Sequence, residues 1–158
     1  MIRPATSADV PAIIQLIRAL AEYEKLSHQV ILDEARLREH LFGARPYAEV
    51  LLAEEAGRVV GYALYFHSYS TFLARPSLYL EDLFVLPEHR GRGHGKALLA
   101  RLARISVERG CGRFEWMVLD WNTPAIRFYE SLGAVVSPEW QLCRMTGDAL
   151  QRFAATAT

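Results

Sequence analysis

Val10, Ile13, Ile14, Ile17, Leu20 and Ala21 recur at three- and four-residue intervals, the spacing that gathers apolar side chains on one face of a helix. A short strand in MIRPAT precedes them, and Thr6 with Asp9 three residues on forms a capping-box start. A second, weaker helical stretch covers 33–42. YAEVLLAEE (47–55) and RVVGYALYFHSYS (58–70) then read as two strands folded back on each other around AGR, a hairpin signal. SLYLEDLFV (77–85) is a third strand, closed by Leu86-Pro87. Leu98, Leu102 and Ile105 mark the buried face of a helix over 95–109. RFEWMVL (113–119) returns to strand patterning. NTPAIRFYESLG (122–133) is a short helix with Thr123 placed to cap it, Pro124 in its first turn and Gly133 at its end. EWQLCRMT (139–146) reads as a closing strand. No repeat, low-complexity tract or linker interrupts this order. A strand meander followed by strands alternating with helices predicts a single α/β (α+β) domain over residues 1–158.

Charge narrows the classes of function. The chain has 18 Lys and Arg against 18 Asp and Glu, which argues against a nucleic-acid coat or a polybasic membrane anchor. MIRPATSADV lacks the apolar stretch of a signal peptide, and the longest apolar run, VVGYALYF, is too short to span a bilayer. Cys111 and Cys143 lie far apart with no CxxC or Cys/His cluster, so they read as reduced, packed thiols. The expectation is a soluble, cytoplasmic domain with no structural metal, no membrane contact and no nucleic-acid partner.

One segment carries chemistry of another kind. EHRGRGHGKALLARL runs from basic residues spaced by glycine straight into a leucine-rich helix. The nucleotide pattern GxxxxGK[ST] fails here, because Arg90 stands at its first glycine and Ala97 at its hydroxyl. The dinucleotide pattern GxGxxG fails at Lys96. What remains is Arg90-x-x-Gly93-x-Gly95 between a strand and a helix. Glycines there let the backbone aim several N–H groups at one anion, and the helix start adds to the attraction. Arg90, Arg92 and Lys96 supply positive charge around the rim. The competing reading is a left-handed glycine turn with solvated arginines.

LFVLPEHRGRGHGKALL and DWNTPAIRFYESLGA together resemble the GNAT superfamily of acyl-CoA-dependent N-acetyltransferases, through [QR]-x-x-G-x-[GA] and N-x-x-A-x-x-F-Y-x-x-x-G. IRPATSADV, LAEYEKLSHQVIL, YLEDLFV and WNTPAIRFYE are similar to the diamine (spermidine/spermine) and thialysine acetyltransferase branch. The resemblance implies a mixed, mostly antiparallel sheet, splayed to form an acyl-CoA cleft and flanked by helices, in a homodimer. Acetyl-CoA is the implied cofactor. Its pantetheine would lie along the backbone of Leu83, Phe84 and Val85 as an added strand. Its pyrophosphate would lie on Arg90, Gly91, Arg92, Gly93, His94, Gly95 and Lys96, with Asn122, Thr123, Pro124 and Ala125 on its other side. His94 stands where the family often has an apolar residue, at a position that contributes mainly backbone.

The implied reaction is direct attack by an amine, and its difficulty can be sized. An alkylamine with a pKa of ~10.4 is neutral in about one molecule per 10³ at pH 7, a cost of roughly 4–5 kcal/mol. Glu81 matches the family's base. A carboxylate near ~4.3 is a poor base, so either Glu81 is desolvated and raised, or it binds and orients the cation. Tyr129 matches the family's acid: a phenol, protonated at pH 7, beside a departing thiolate. The other reading of Tyr129 is an aromatic core residue beside Phe128. Tyr23, Glu24, Asp82, Glu139 and Trp140 match the branch's polyamine-binding positions, where carboxylates and aromatics suit an extended cation. The implied partner is a small-molecule amine. An acyl-CoA sensor without turnover is the alternative, and the presence of both Glu81 and Tyr129 speaks against it.

Overall fold

The computed structural model describes residues 1–157 and resolves two compact units, one over Met1–Met117 and a second from Val118 onward. The first holds a five-stranded sheet: β1 (Ile2–Pro4), β2 (Glu49–Glu55), β3 (Arg58–Ser70), β4 (Arg75–Val85) and β5 (Arg113–Trp116), paired in that order. β1 to β4 are antiparallel, as a meander with tight turns requires. β5 runs parallel to β4, reached through the helix α3 (His94–Glu108). α1 (Val10–Tyr23) and α2 (Glu34–Phe42) precede the hairpin.

Strand alternation divides the core. Ile13, Leu16 and Leu41 from the first two helices pack with Val50, Leu52, Tyr62 and Phe84 from one face of the sheet. Leu51, Ala63 and Tyr65 point to the other face, toward α3, whose Leu98, Leu102 and Ile105 are buried as their spacing predicts. In α1, Leu16 joins the buried set, while Ile17 and Leu20 are only partly covered.

β1 is short, and charge as well as pairing secures it. Arg3 donates from its two terminal nitrogens to Asp9 at 2.8 and 2.9 Å and from Nε to Glu54 at 2.9 Å. Asp9 also accepts the Thr6 N–H at 2.7 Å, the return half of the expected capping box. The Arg3 guanidinium, then the Thr6 N–H, hold the Asp9 carboxyl well below the usual carboxylate range against the opposing effect of burial.

The second unit departs from expectation. α4 (Thr123–Ser131) forms, but its cap is Asn122, whose side chain accepts the Ala125 N–H at 3.4 Å, and not Thr123. Thr123 already has helical geometry, one residue too late to cap. RFEWMVL yields a strand only over Arg113–Trp116. EWQLCRMT forms no strand: Trp140, Leu142 and Met145 are exposed, and no neighbouring strand gives its alternation a face to bury. A helix that the residue pattern did not predict, α5 (Gly147–Ala154), follows it. Cys111 and Cys143 are both free thiols, Cys111 partly covered and Cys143 exposed rather than packed.

The Arg3–Asp9 pair should show in stability. Asp9→Ala is expected to cost about 2 kcal/mol at pH 7, as the loss of charge-assisted hydrogen bonds and a helix-start acceptor. Because the folded pKa is depressed, this contribution is fully present above the unfolded value near ~4 and is lost progressively as pH falls from there toward the much lower folded value. Urea unfolding of both proteins between pH 7 and pH 3 should therefore show the gap closing in acid.

Candidate active site

A register shift in the β3–β4 ladder builds the site. Tyr65 pairs with Leu80 and Leu64 with Asp82, so Glu81 is an extra residue with no partner on β3. This is a β-bulge. Unbroken alternation would turn Leu80 and Asp82 to one face. The bulge sends Leu80 to the α3 side with Tyr65, and Asp82 to the α1 side with Leu64.

The same point ends the other ladder. β5 pairs with β4 only from Ser77 to Leu80. Past the bulge, Glu81–Val85 has a strand on one side only. The Leu86 N–H donates to the Val60 carbonyl at 2.9 Å, so residues 84 and 86 bond toward β3. By alternation, Leu83 and Val85 turn their N–H and C=O groups outward. The edge left unpaired includes Leu83–Val85.

Acidic groups gather beside it. Asp82 accepts a hydrogen bond from the Tyr62 hydroxyl at 2.8 Å. Burial pushes the Asp82 carboxyl up, the Tyr62 hydrogen bond pulls it back, and the charge of Glu81 raises it again. Burial, then the charge of Asp82, also raises Glu24, the residue just past α1. Glu81 is exposed. The first unit thus brings Glu24, Glu81 and Asp82 together at one corner, with Tyr23 alongside.

The glycine loop follows directly. Gly91 and Gly93 have φ of 74° and 86°, the left-handed region that favours glycine. Gly93 caps α3 without a side-chain partner, and the first N–H to bond back is that of Ala97, to Gly93, at 2.9 Å. The N–H groups of His94, Gly95 and Lys96 therefore have no acceptor within the helix. Three donors at a helix start, unobstructed by a Cβ at Gly93 and Gly95, fit a pyrophosphate.

The two arginines of the expected rim also have partners within the protein. Arg90 Nε donates to the outward Val85 carbonyl at 2.9 Å, and its guanidinium lies 4.5 Å from the Tyr23 ring centre and 5.3 Å from that of Phe84. Arg92 pairs with Glu55 at 2.9 Å. That carboxylate also takes His89 Nδ1, and stands 3.8 Å from His94 Nε2. Glu55, at the end of β2, thereby ties the loop to the hairpin. All three basic side chains, Arg90, Arg92 and Lys96, are exposed, Lys96 in the first turn of α3.

The remaining candidates lie in the second unit. Asn122 is buried, Thr123 and Pro124 are exposed, and Ala125 is partly covered. Tyr129 is half-buried in α4, its ring 5.6 Å from that of Phe128. Glu139 and Trp140 are exposed in the irregular segment before α5. Tyr62 and Glu55 were not among the residues the sequence singled out. A tyrosine in an apolar strand reads as core, although its hydroxyl must find a partner when buried.

The sequence profile of the acetyltransferase (GNAT) family matches residues 12–134. The chain belongs to that family. It is 42% identical to a thialysine N-epsilon-acetyltransferase of Bos taurus, over 98% of this chain and 96% of that protein. An L-ornithine N5-acetyltransferase of Arabidopsis thaliana is 37% identical, over 95% of this chain and 86% of its own. Among solved structures, an integron cassette protein from the mobile metagenome of V. cholerae superposes with a TM-score of 0.82 at 26% identity, covering 99% and 98% of the two chains. The chain is accordingly an N-acetyltransferase of the diamine/thialysine branch. None of its described helices is long and apolar enough to cross a membrane.

The loop's two glycines should separate in stability. Gly93→Ala is expected to cost about 1–2 kcal/mol, since a Cβ is strained at positive φ. Gly95 has ordinary helical geometry, and an added Cβ would meet nothing nearer than Val85 Cγ2 at 4.0 Å. Gly95→Ala should leave the urea midpoint unchanged or raise it slightly.

Proposed function

We propose that this chain transfers an acetyl group from acetyl-CoA to a terminal primary amine on a short, cationic acceptor: a thialysine- or ornithine-like amino acid, a diamine or a polyamine. The observation that carries the reading is the outward edge of Leu83–Val85, lying between an acidic corner and an uncapped helix start. A ligand bearing amides and phosphate suits the edge and the loop, and a cation suits the corner. The named activities of the thialysine and ornithine relatives, each on a side-chain amine, support the acceptor class.

Bound acetyl-CoA supplies an activated acetyl thioester. The backbone of Leu83–Val85 would orient it, with the outward Leu83 N–H available as a donor to its carbonyl oxygen. The N–H groups of residues 94–96 bind its phosphates, and Asn122–Ala125 complete its binding. Asp82, Glu24 and Glu81 hold the acceptor as an ammonium, and Glu81 takes its proton, directly or through water. Tyr129 Oη holds a proton for the departing thiolate. The assembly is a homodimer, as the branch resemblance implies, and the compartment is the cytoplasm.

Thiol release from acetyl-CoA, measured with thialysine, ornithine, diamines and polyamines, tests this directly. Amine-dependent release is expected; coenzyme binding with no release under any amine would leave a sensor instead. Tyr129→Phe should lower kcat at least about tenfold with near-normal coenzyme affinity. Wild-type turnover in that variant, with chemistry rate-limiting, would make Tyr129 a packing residue.

A further inference from the structure

The acidic corner contains a group the mechanism above does not use. Tyr62 is fully buried in the middle of β3, packed with Ile13, Leu16, Val50, Leu52 and Phe84. Its hydroxyl reaches out of that apolar cluster to Asp82, one diagonal step along β4, at 2.8 Å. We propose that Tyr62 is a positioning residue for acceptor recognition, holding the Asp82 carboxylate aimed at the incoming ammonium.

Three features support this beyond proximity. Asp82 reaches the α1 side only because of the bulge at Glu81, and a side chain placed by an irregularity needs something to fix its rotamer. A ring locked in a close-packed core supplies a fixed donor. Secondly, the corner is crowded with like charge. Glu24 faces Asp82 from the end of α1 and Glu81 adjoins it on β4, while Arg90 is engaged over Tyr23 and Phe84 and on the Val85 carbonyl. Tyr62 is the hydrogen-bond donor that offsets this repulsion before substrate arrives. Thirdly, burial, followed by the charge and hydrogen bond of Asp82, drives the Tyr62 phenol far above its usual range. It therefore stays a donor at every working pH.

The inference rests on the amine-acetyltransferase reading and is tested within it. Tyr62→Phe keeps the ring and removes the hydroxyl. It should raise the amine KM about tenfold while coenzyme Kd changes less than twofold. The acidic limb of kcat/KM for the amine should also move to higher pH, because Asp82 loses the bond that keeps its pKa down. In an Asp82→Asn background, adding Tyr62→Phe should change amine KM no further, since the two act through one carboxylate. That comparison also serves if Tyr62→Phe alone does not fold, because the second substitution removes the carboxylate that would be left without its donor. An unchanged amine KM and pH limb in folded Tyr62→Phe, or a further rise in KM on top of Asp82→Asn, would reduce Tyr62 to core packing. Absence of turnover with every amine in the wild type would overturn the function itself, and this role with it.

Discussion

The unpaired residue Glu81 is the constraint on which the site depends. A strand that carried its register from Ser77 to Val85 without interruption would turn Asp82 toward α3 and away from Tyr62 and Glu24. Pairing with β5 also stops where the bulge begins, at Leu80. One inserted residue thus coincides with an acidic corner on one face and an outward row of backbone groups on the edge. The bulge has a cost in lost ladder bonds, and the surrounding core holds it in place: Tyr62, Phe84 and Leu80 are all nearly or fully buried.

Charge is divided on either side of that edge. Carboxylates collect at the acidic corner, where burial first and then their mutual repulsion push Glu24 and Asp82 up. At the loop, Arg90 and Arg92 stay exposed while engaging Val85, Tyr23, Phe84 and Glu55, and the backbone N–H groups of α3 add donors in fixed positions to the attraction for an anion. Backbone donors in fixed geometry need no ordering when a ligand arrives, unlike long side chains, which lose rotamer freedom. Arg90 acts structurally, tying the loop to the strand by its bond to Val85 and to the end of α1 by its stacking on Tyr23.

Much of this was legible in the residues. Period and turn signals located α1, the hairpin and α3 because each has a strong apolar pattern and a fixed neighbour to bury it, and α2 on a weaker pattern that buries only Leu41. The glycine loop was readable because left-handed backbone has few residue choices. The bulge was not, since SLYLEDLFV alternates acceptably with or without an inserted residue, and register belongs to the pair of strands. Tyr62 was hidden for a related reason: its partner lies twenty residues away in sequence. EWQLCRMT misled because alternation indicates a strand only where a partner strand exists.

Amide hydrogen exchange at Leu83, followed residue by residue by NMR with and without acetyl-CoA, reaches the central claim most directly. If the splayed edge receives the coenzyme as an added strand, the Leu83 N–H should exchange at least about tenfold more slowly in the complex. Phe84 and Leu86, already bonded to β3, should change little. Saturating coenzyme binding with unaltered exchange at Leu83 would contradict it, and would place the coenzyme elsewhere on the protein.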